Sequence, residues 1–543
     1  MLPHDASSYA DLCARFAWDL PERFNIGTAI CDAWADREPS RNALVYVEEG
    51  GDTAIYTYAD LKRLSNQLAN LLVSCGTQPG DRVGVLLPQR PETAYAHIAA
   101  LKTGAISIPL FTLFGEEALE YRLRDSGSKI VITDRSGAAK LEPLRDRLPH
   151  LSAVFCVDGE DSGADDLSSH MAGHMTEFKP FDTAPDDPAI IIYTSGTTGQ
   201  PKGALHGHKV LLGHLPGVEM SHDFLGQPGD RIWTPADWAW IGGLLDVLMP
   251  ALYLGVPVVA CRFRKFTAQS AFQLLADQKI RNTFLPPTAL KMMRQVPEAH
   301  NRWQLDLRSV ASGGETLGAE LIDWGRQTFG LTINEFYGQT ECNMIVSSCS
   351  SLMPARPGIM GRAVPGHQVA VVDDTGTPVA ANTLGNVAVK RPDPVMFLKY
   401  WNNETATAEK FAGDWMLTGD TGLEDHDGWL HFVGRDDDVI TSSGYRIGPG
   451  EIEDCLLRHP AVAMAGVVGK PDPQRTEIVK AFIVLKDGVE PADALAADIA
   501  EFVKTRLAAH EYPREVEFVD ALPMTTTGKV IRRALRARAE QEG

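Results

Sequence analysis

Hydrophobic and polar positions alternate along the first third of the chain with two different periods. Apolar residues recur at helical spacing over 61–72, directly after the Thr-x-x-Asp order of residues 57–60, which is that of a helix capping box. Alternating strands and helices of this kind indicate a parallel sheet covered on both faces. The elements predicted next are strands at 81–87, 106–110 and 129–133 and a helix at 91–103.

The same rhythm returns later and then changes. A strand at 256–261, a helix at 267–278 and a short strand at 309–311 predict a second α/β unit. From residue 368 the apolar runs become short and are separated by Asp/Gly turns, which is typical of a small antiparallel sheet or barrel. The strands predicted there are 369–372, 386–390 and 429–433. We therefore expect an α/β fold whose large N-terminal domain holds two α/β sheet units and a small β-barrel-like subdomain.

A further change follows the acidic stretch 436–438. The remaining residues are numerous enough for a small α+β domain with its own core. We place the boundary at Asp437, which gives an N-terminal domain of residues 1–436 and a C-terminal domain of residues 437–543. The elements predicted in the small domain are helices at 451–458 and 492–507 and strands at 462–468, 480–485 and 515–519.

The bulk composition narrows the function classes. The chain has 543 residues and a formal net charge of −20, which argues against nucleic acid and acidic membranes as main partners. Its eight cysteines are scattered, as in a reduced, cytoplasmic protein. Residues 1–16 lack the apolar run of a signal peptide, and the apolar segment 247–261 is too short and too broken by proline and glycine to span a bilayer.

One Gly/Thr-rich loop follows the apolar run 189–192. Its glycines let the backbone approach a ligand closely, its hydroxyls donate hydrogen bonds, and its lysine adds a positive charge, so that it suits a polyanion such as a triphosphate. A polar turn is the alternative, and the loop is not a Walker motif. The candidate phosphate-binding residues are Thr194, Ser195, Gly196, Thr197, Thr198, Gly199, Gln200, Pro201 and Lys202.

Three further motifs carry weaker signals by themselves. The segment 334–341 (Asn-Glu-Phe-Tyr-Gly-Gln-Thr-Glu) combines an aromatic ring and a carboxylate at a strand end, which could stack a base and hold a metal. Asp420 ends a predicted strand and could accept hydrogen bonds from ribose hydroxyls, although most such residues only cap turns. Lys529 follows a Thr/Gly run and would ordinarily be a surface charge. The basic run 532–538 is interpreted as a solvated helix face.

Together and in this order, the motifs resemble those of the adenylate-forming enzymes: acyl-CoA synthetases, luciferases and adenylation domains of peptide synthetases. The resemblance extends over residues 53–538. The C-terminal part, including Ser-Gly-Tyr-Arg-Ile-Gly-Pro at 443–449 and Tyr-Pro-Arg at 512–514, resembles medium-chain acyl-CoA synthetases most.

The resemblance implies roles for individual residues. Tyr337 would stack on adenine, Thr340 would contact the α-phosphate and the acyl carboxylate, and Glu341 would bind Mg²⁺. Lys529, Thr340 and Glu341 would be catalytic, and Asp437 would be the hinge of the small domain. Besides the Gly/Thr loop, the implied ATP-binding residues are Gly314, Glu315, Glu335, Phe336, Tyr337, Gly338, Gln339, Thr340, Asp420, Arg435 and Lys529, and the implied CoA-binding residues are Ser443, Gly444, Tyr445, Arg446 and Arg475.

The implied reaction joins a carboxylic acid to CoA through an acyl-adenylate, with release of diphosphate and AMP. In acetate-specific relatives a tryptophan and a valine occupy the positions matching Gly338 and Gly313, so the two glycines predict a deeper acyl pocket, walled by Trp238, Trp240 and Ile241, for short- to medium-chain fatty acids. Small molecules are the expected partners of a monomer or homodimer. The alternatives are an aryl or thioether acid substrate, transfer to a carrier protein, luciferase-like oxygenation, or a nucleotide-binding regulator without activity.

Overall fold

Three hydrogen-bonded sheets organise the chain. The computed structural model describes residues 1–48, 52–161, 163–194, 200–263, 265–315, 317–435, 438–442, 445–472, 475–507, 512–525 and 529–541. Its strands are β1 Asn42–Val47, β2 Thr53–Thr57, β3 Arg82–Leu86, β4 Ile106–Pro109, β5 Ile130–Thr133, β6 Ala153–Cys156, β7 Asp165–Asp166, β8 Pro188–Thr194, β9 Lys202–Gly207, β10 Ile232–Trp233, β11 Val258–Cys261, β12 Asn282–Phe284, β13 Ser309–Gly313, β14 Ile333–Gln339, β15 Cys342–Ser347, β16 Gly361–Ala363, β17 Val369–Val372, β18 Gly385–Lys390, β19 Lys399–Tyr400, β20 Phe411–Ala412, β21 Trp415–Glu424, β22 Trp429–Arg435, β23 Ile440–Ser442, β24 Tyr445–Ile447, β25 Val462–Asp472, β26 Thr476–Leu485 and β27 Glu515–Phe518.

The helices cover the faces of these sheets. They are α1 Tyr9–Arg15, α2 Ala33–Arg37, α3 Tyr58–Ser74, α4 Pro91–Lys102, α5 Glu116–Ser126, α6 Arg135–Leu141, α7 Leu167–Ala172, α8 Val210–Ser221, α9 Ile241–Gly243, α10 Met249–Leu254, α11 Ala268–Asp277, α12 Pro287–Arg294, α13 Ala299–Arg302, α14 Ala319–Phe329, α15 Glu404–Glu409, α16 Pro449–Leu457, α17 Asp493–Lys504 and α18 Arg532–Glu540. Shorter turns of π-helix occur at Thr28–Asp32 and Leu244–Leu248, and one of 3₁₀-helix at Glu142–Arg147.

The capping box predicted from sequence is present at the start of α3. The Thr57 hydroxyl accepts a hydrogen bond from the backbone N–H of Asp60, and the Asp60 carboxylate accepts one from the backbone N–H of Thr57. Two N–H groups that the helix cannot pair internally are thereby satisfied. The predicted strands and helices on either side of α3 lie within a few residues of their expected bounds, because the apolar positions that predicted them fill the core.

The first sheet has the order β19-β9-β8-β4-β3-β5-β6-β7. Strands β8, β4, β3, β5, β6 and β7 are mutually parallel, whereas β9 returns antiparallel to β8. The segment between β8 and β9 is the Gly/Thr loop, and the register pairs Thr194 with Lys202. Both ends of the loop are therefore held at one place on the sheet edge.

The second sheet has the order β17-β18-β21-β22-β16-β15-β14-β13-β12-β10-β11-β1-β2, with β20 beside β21. Its middle, from β14 to β1, is parallel, as expected for the second α/β unit. The antiparallel strands expected as a separate small sheet or barrel are present, but β16 joins them by hydrogen bonds to the parallel strands. This link could not be predicted from the apolar pattern, because β16 is only Gly361–Ala363.

One hydrophobic core lies between the first two sheets. It includes Ile190 from the first sheet, Val258 from the second, and apolar residues of α8 between them. All residues of α8 are buried, which is typical of a helix enclosed on every side. The two α/β units therefore share their packing and hold each other's strand ends in fixed positions.

The third sheet, β24-β23-β26-β25 with β27 parallel to β26, contains only C-terminal strands. Its longest pairing joins β25 and β26 in antiparallel register. The helices α16 and α17 cover it, and Ile452, Val467, Ala481 and Ile499 belong to its core. This core is separate from those of the first two sheets, as expected for a small α+β unit.

The basic C-terminal helix is not only a solvated face, as the sequence had suggested. Arg532 lies 2.6 Å from Glu453 and 3.4 Å from Asp438, and Arg536 also pairs with Asp438. The Asp438 side chain is only 12% exposed. Two arginines of α18 therefore fasten this helix to the residue that follows the predicted hinge.

In the described part of the chain, no helix is both long and apolar enough to cross a membrane.

We predict that Asp438→Asn loosens α18. The substitution removes the carboxylate that faces Arg532 and Arg536 and should reduce the free energy of local opening by about 2 kcal/mol. Hydrogen–deuterium exchange of the α18 amides should then be roughly thirty-fold faster. The control is Asp487→Asn, an exposed position in the turn after β26. Unchanged exchange in Asp438→Asn would show that the ion pairs do not hold the helix.

Candidate active site

The candidate site begins at the ends of two neighbouring parallel strands. In the register of β13 and β14, Gly313 lies opposite Phe336. The chain then turns at Gly314, which has a positive φ of 95° that favours glycine. The carboxyl ends of parallel strands are where α/β sheets bind ligands. The segments 313–315 and 335–340, predicted separately from sequence, therefore lie side by side.

Three of the predicted nucleotide-binding residues are in contact. The Tyr337 hydroxyl donates a hydrogen bond of 2.5 Å to Asp420, and the Arg435 guanidinium lies 3.7 Å from the other oxygen of Asp420. Asp420 and Arg435 face each other across β21 and β22. Burial raises the pKa of Asp420, whereas the hydrogen bond from Tyr337 and the positive charge of Arg435 oppose the rise. This is an aromatic ring beside a carboxylate, as base and ribose recognition require.

Lys410 is a further cation in this region, and no sequence motif predicted it. Its ammonium donates to the side chain of Gln339 (3.3 Å) and to the carbonyl of Thr418 (3.1 Å). Burial lowers the pKa of Lys410, and the carboxylates of Glu341 and Asp420 oppose that effect. Lys410 therefore links the strand that carries Gln339 to the strand that carries Asp420.

An aromatic residue, Tyr400, contacts both Glu341 and the lysine at the end of the Gly/Thr loop. The Tyr400 hydroxyl donates a hydrogen bond to Glu341, and the Lys202 ammonium lies 5.2 Å from the centre of the Tyr400 ring. The Pro201 carbonyl accepts a hydrogen bond of 3.0 Å from Tyr121. Ser195, Gly196, Thr197, Thr198 and Gly199 lie outside the described residues. The lysine that follows the loop and the predicted metal-binding carboxylate thus share one neighbour.

Glu341 has the chemistry that Mg²⁺ prefers, and it stands without a cluster of other ligands. It is a buried carboxylate, and the half-buried Thr340 precedes it. No group of three or more potential ligands that could hold a metal occurs among the described residues. Magnesium commonly binds through one or two carboxylates together with substrate phosphates. Glu341 therefore suits a metal that arrives with a nucleotide.

Lys529 reaches this site from the C-terminal part of the chain. A Cβ built on Gly314 would lie 3.7 Å from the Lys529 ammonium nitrogen. The lysine backbone N–H donates to the Thr525 hydroxyl. Desolvation lowers the pKa of Lys529, opposed by the nearby carboxylates of Glu315 and Asp420. The Lys529 ammonium therefore lies beside Gly314, near two carboxylates of residues predicted to bind the nucleotide.

Acidic side chains occupy the contact between the C-terminal unit and the second sheet. A Cβ on Gly318 would lie 3.3 Å from the Asp454 carboxylate. Burial, with repulsion from Glu453 and Glu315, raises the pKa of Asp454 to about 7, although Lys291 opposes it. Burial also raises the pKa of Glu335 well above its ordinary value. Glu335, predicted to bind ATP, is therefore a second acid at this contact whose charged form burial disfavours.

The two glycines expected to deepen the acyl pocket do not leave empty space, which corrects the sequence-based expectation. A Cβ on Gly313 would lie 2.6 Å from the Phe336 ring, and one on Gly338 would lie 2.5 Å from the backbone nitrogen of Met344 and 2.6 Å from the Cα of Asn343. Protein atoms already fill both positions. The glycines are needed for close packing of β13, β14 and β15, and pocket size is set by other residues.

The three residues expected to form walls of the acyl pocket differ in exposure. Trp238 is 0% exposed and belongs to the core between the sheets, so that it presents no surface to an open pocket; this corrects its assignment as a wall. Trp240 and Ile241 are partly exposed, and the Trp240 ring packs against Phe111 at 5.5 Å. Phe284 and Phe336, whose ring centres are 5.1 Å apart, are apolar residues at this place that the sequence did not single out as walls.

Of the predicted CoA residues, the backbone of Tyr445 and Arg446 and the turn that contains Arg475 belong to the third sheet. Ser443, Gly444 and the hinge residue Asp437 fall outside the described residues, as do the side chains of Tyr445 and Arg446, whose backbone forms part of β24. Arg475 lies in the turn between β25 and β26, and its N–H donates to Asp472. The register pairs Ser442 with Thr476, so the hairpin of β23 and β24 and the turn of Arg475 are adjacent.

These features define a nucleotide-binding α/β enzyme whose site is completed by a lysine from a second structural unit. The model of the "AMP-binding enzyme" family matches residues 31–401, and that of the "AMP-binding enzyme C-terminal domain" matches residues 451–529. Acetyl-coenzyme A synthetase of Bacillus subtilis is 35% identical over 98% of this chain and 95% of its own. Acyl-coenzyme A synthetase ACSM3, mitochondrial, of Mus musculus is 34% identical over 98% and 94%.

Solved structures agree. The acyl-CoA synthetase of Brucella canis has a TM-score of 0.76 at 35% identity and covers 99% of both chains. The anthranilate CoA ligase AuaEII, in complex with anthranoyl-AMP, has a TM-score of 0.87 at 28% identity over 96% of this chain and 98% of its own. The chain belongs to the AMP-forming acyl-CoA synthetases of the AMP-binding enzyme family.

We predict that Gly338→Trp lowers activity toward every acid and does not create an acetate enzyme. The new Cβ would collide with the backbone of Asn343 and Met344 and displace the turn that carries Thr340 and Glu341. The ratio of kcat/KM for acetate and hexanoate should stay within about three-fold of the wild-type ratio, while both values fall by at least ten-fold. A selective gain for acetate would restore the deeper-pocket interpretation.

We predict that Asp454→Asn changes the pH dependence of adenylation. The pKa of Asp454 is raised, so its contact with Gly318 is favoured by the protonated acid and is lost as pH rises toward about 7. The ATP–diphosphate exchange rate of Asp454→Asn relative to wild type should be near one at pH 5 and several-fold higher at pH 8. Lys529 titrates in both proteins, so the ratio isolates Asp454. Glu490→Gln, an exposed position, is the control, and a ratio independent of pH would contradict the assignment.

Proposed function

We propose that this enzyme converts a short- to medium-chain carboxylic acid, ATP and CoA to acyl-CoA, AMP and diphosphate through an acyl-adenylate. The observation that carries the proposal is the position of Lys529. Its ammonium lies beside Gly314 and near the carboxylates of Asp420 and Glu315. Attack of a carboxylate on an α-phosphate brings two anions together, so a cation at that point is the main requirement of the first step.

The nucleotide is held by the contacts already described. Tyr337 stacks on adenine, and Asp420 accepts hydrogen bonds from the ribose hydroxyls in place of the one that it now accepts from Tyr337. The positive charge of Arg435 favours the ionised form of Asp420 and opposes the effect of burial. Gln339, held by Lys410, keeps the next segment in register with β21.

The phosphates meet positive charge from two sides. Lys202, paired with Thr194 where the two ends of the Gly/Thr loop meet, approaches from the first sheet, and Lys529 approaches from the C-terminal unit. Mg²⁺ brought by ATP would bind Glu341 and neutralise phosphate charge. The half-buried Thr340 hydroxyl orients the α-phosphate and the acid carboxylate. No side-chain nucleophile is needed, because the acyl-adenylate is itself an activated electrophile.

Thioester formation uses a second arrangement of the two domains, residues 1–436 and 437–543. Rotation at Asp437 removes Lys529 and brings Ser443, Gly444, Tyr445 and Arg446 to the acyl-adenylate. Arg475 then meets the CoA phosphates. The proposal is supported by the adjacency of the β23–β24 hairpin and the turn of Arg475, since one movement of the third sheet carries both. Two closed states of similar stability are sufficient for such alternation.

The acid is proposed from the relatives and the apolar walls. Relatives named for acetyl and acyl groups support an aliphatic acid. The similar structures of anthranilate and benzoate CoA ligases favour an aryl acid as the alternative. The rings of Phe284 and Phe336 would suit an aliphatic or an aryl acid. Transfer to a carrier protein is distinguished by giving the enzyme CoA and a carrier protein in parallel.

The eight cysteines, all among the described residues, form no disulfide bond, which supports a reducing compartment such as the cytoplasm. A monomer and a homodimer both remain compatible with the proposal, because the site described contains residues of one chain only.

We predict that Lys529→Gln lowers ATP–diphosphate exchange by 10²-fold or more, about the loss seen when one preorganised donor is removed. Lys529→Arg should retain part of the activity and move the alkaline limb of the pH profile upward, because the lowered pKa of Lys529 makes the wild type lose its charge early. Lys486→Gln, an exposed lysine of the same unit, is the control.

The exchange assay should include acids from acetate to decanoate, benzoate and thioether acids. AMP formation with at least one acid is expected. If no acid supports AMP formation in wild-type enzyme with ATP and Mg²⁺, the proposed function is wrong. If Lys529→Gln exchanges as fast as wild type, the role of the lysine is wrong while the function stands.

A further inference from the structure

One buried carboxyl group, Asp246, has no part in the reaction as described so far. It lies in the π-helical turn Leu244–Leu248, one turn after Gly242. Its side chain is only 4% exposed. A carboxyl group is rarely placed in such an interior without a hydrogen-bonding purpose.

The two oxygens of Asp246 have different surroundings. Asn343 donates a hydrogen bond of 2.7 Å to Oδ1, and the Nε2 atom of His214 lies 3.8 Å from the same oxygen. Oδ2 points toward Gly242, where an added Cβ would lie 3.5 Å away. Gly242 is partly exposed. Asn343 is the one hydrogen-bond donor to Asp246 among the described residues, and it binds the other oxygen.

A continuous ring of contacts connects this pair to the reaction centre. The Asn343 side-chain oxygen lies 2.6 Å from a Cβ built on Gly338, which is two residues before Thr340. On the other side, a Cβ on Gly242 would lie 3.0 Å from the Phe284 ring. Phe284 packs on Phe336, which in turn covers Gly313, the neighbour of the glycine beside Lys529.

The residues of this ring are therefore aromatic on one side and polar on the other. Phe284 and Phe336 provide the apolar side, and Asp246 with Asn343 provides the polar side. An alkyl chain would make favourable contacts with Phe284 and Phe336 only. Placed against Oδ2, a methyl group would exclude water and leave the carboxyl group without a second partner, which is unfavourable in a low-dielectric interior.

The surroundings also indicate the charge of the preferred partner. Burial raises the pKa of Asp246 well above its ordinary value, and burial lowers the pKa of His214 to about 4. Burial therefore disfavours the charged form of both groups. A neutral carboxyl group can donate and accept, and so can a hydroxyl group. An ammonium group would require an ionised Asp246 in an apolar interior, which costs more.

We propose that Asp246, held by Asn343, recognises a hydroxyl group on the acyl chain, so that the preferred substrate is a hydroxy-substituted carboxylic acid. The inference rests on the proposed function and names the substrate class of the same site. Asp246 acts in specificity and Asn343 positions it. The carboxylate of the substrate stays at Lys529 and Thr340, and its chain crosses the ring from Gly338 toward Gly242.

Acids that differ only by a hydroxyl in place of a methyl group test this directly. The pairs are 3-hydroxybutanoate with 3-methylbutanoate, 4-hydroxybutanoate with pentanoate, and 5-hydroxypentanoate with hexanoate; 4-aminobutanoate tests the ammonium alternative. In at least one pair, wild-type kcat/KM should be ten-fold or more higher for the hydroxy acid, since a site built to bind a hydroxyl discriminates against its absence.

Substitution of Asp246 should remove that preference within a single enzyme preparation. Asp246→Leu should invert the ratio for the same pair, so that the methyl acid is preferred. Asp246→Asn keeps hydrogen-bonding atoms and should retain part of the hydroxy preference. If Asp246→Leu does not fold, the double variant Asp246→Leu/Asn343→Leu removes the unpaired amide and makes the same comparison.

The outcomes separate the inference from the proposed function. Equal kcat/KM within every pair, or a hydroxy preference that survives in Asp246→Leu, would overturn the inference. Preference for 4-aminobutanoate would also overturn it in favour of an ionised Asp246. In each case AMP formation with any of the acids would leave the proposed function intact, whereas absence of AMP with all acids would contradict the function itself.

Discussion

The structure depends on one electrostatic arrangement: a lysine carried by the last part of the chain lies at the ends of strands that belong to the first part. Lys529 lies beside Gly314. Desolvation lowers its pKa, while the carboxylates of Glu315 and Asp420 oppose this effect. The contact can form only because two α/β units share a core and hold β13 and β14 in register. The sheets thus provide a fixed surface, and the C-terminal unit provides the charge.

The acids at this contact make the closed arrangement less stable than ion pairs would. Asp454 and Glu335 lie where the C-terminal unit meets the second sheet, and burial raises the pKa of both. An arrangement held together by strong ion pairs would be slow to open. One that buries protonatable acids is closer to balance, as two alternating closed states require. Asp246 is a further acid whose pKa burial raises, and the hydroxyl recognition proposed for it likewise uses a carboxyl group in an apolar interior.

Much of this could be predicted from sequence, and the limits have physical causes. The periodicity after Thr57 predicted α3 with its cap, and the motifs around Tyr337, Asp420 and Lys529 come together in space. Lys410 and Tyr400 were missed, because each acts through a contact with a residue far away in the chain that no local pattern encodes. The glycines at 313 and 338 were taken for empty space, but side chains and backbone from neighbouring strands fill them. A missing side chain predicts a cavity only when the packing around it is known.

The central claim is that Lys529 serves the first half-reaction and leaves before the second. Single-turnover kinetics with chemically prepared acyl-adenylate and CoA test it most directly, because the first step is bypassed. The account predicts that Lys529→Gln forms acyl-CoA from the acyl-adenylate at a rate within about three-fold of wild type, although it cannot make the acyl-adenylate from ATP. An equally large loss in the thioester step would contradict the account, since the lysine would then be required throughout.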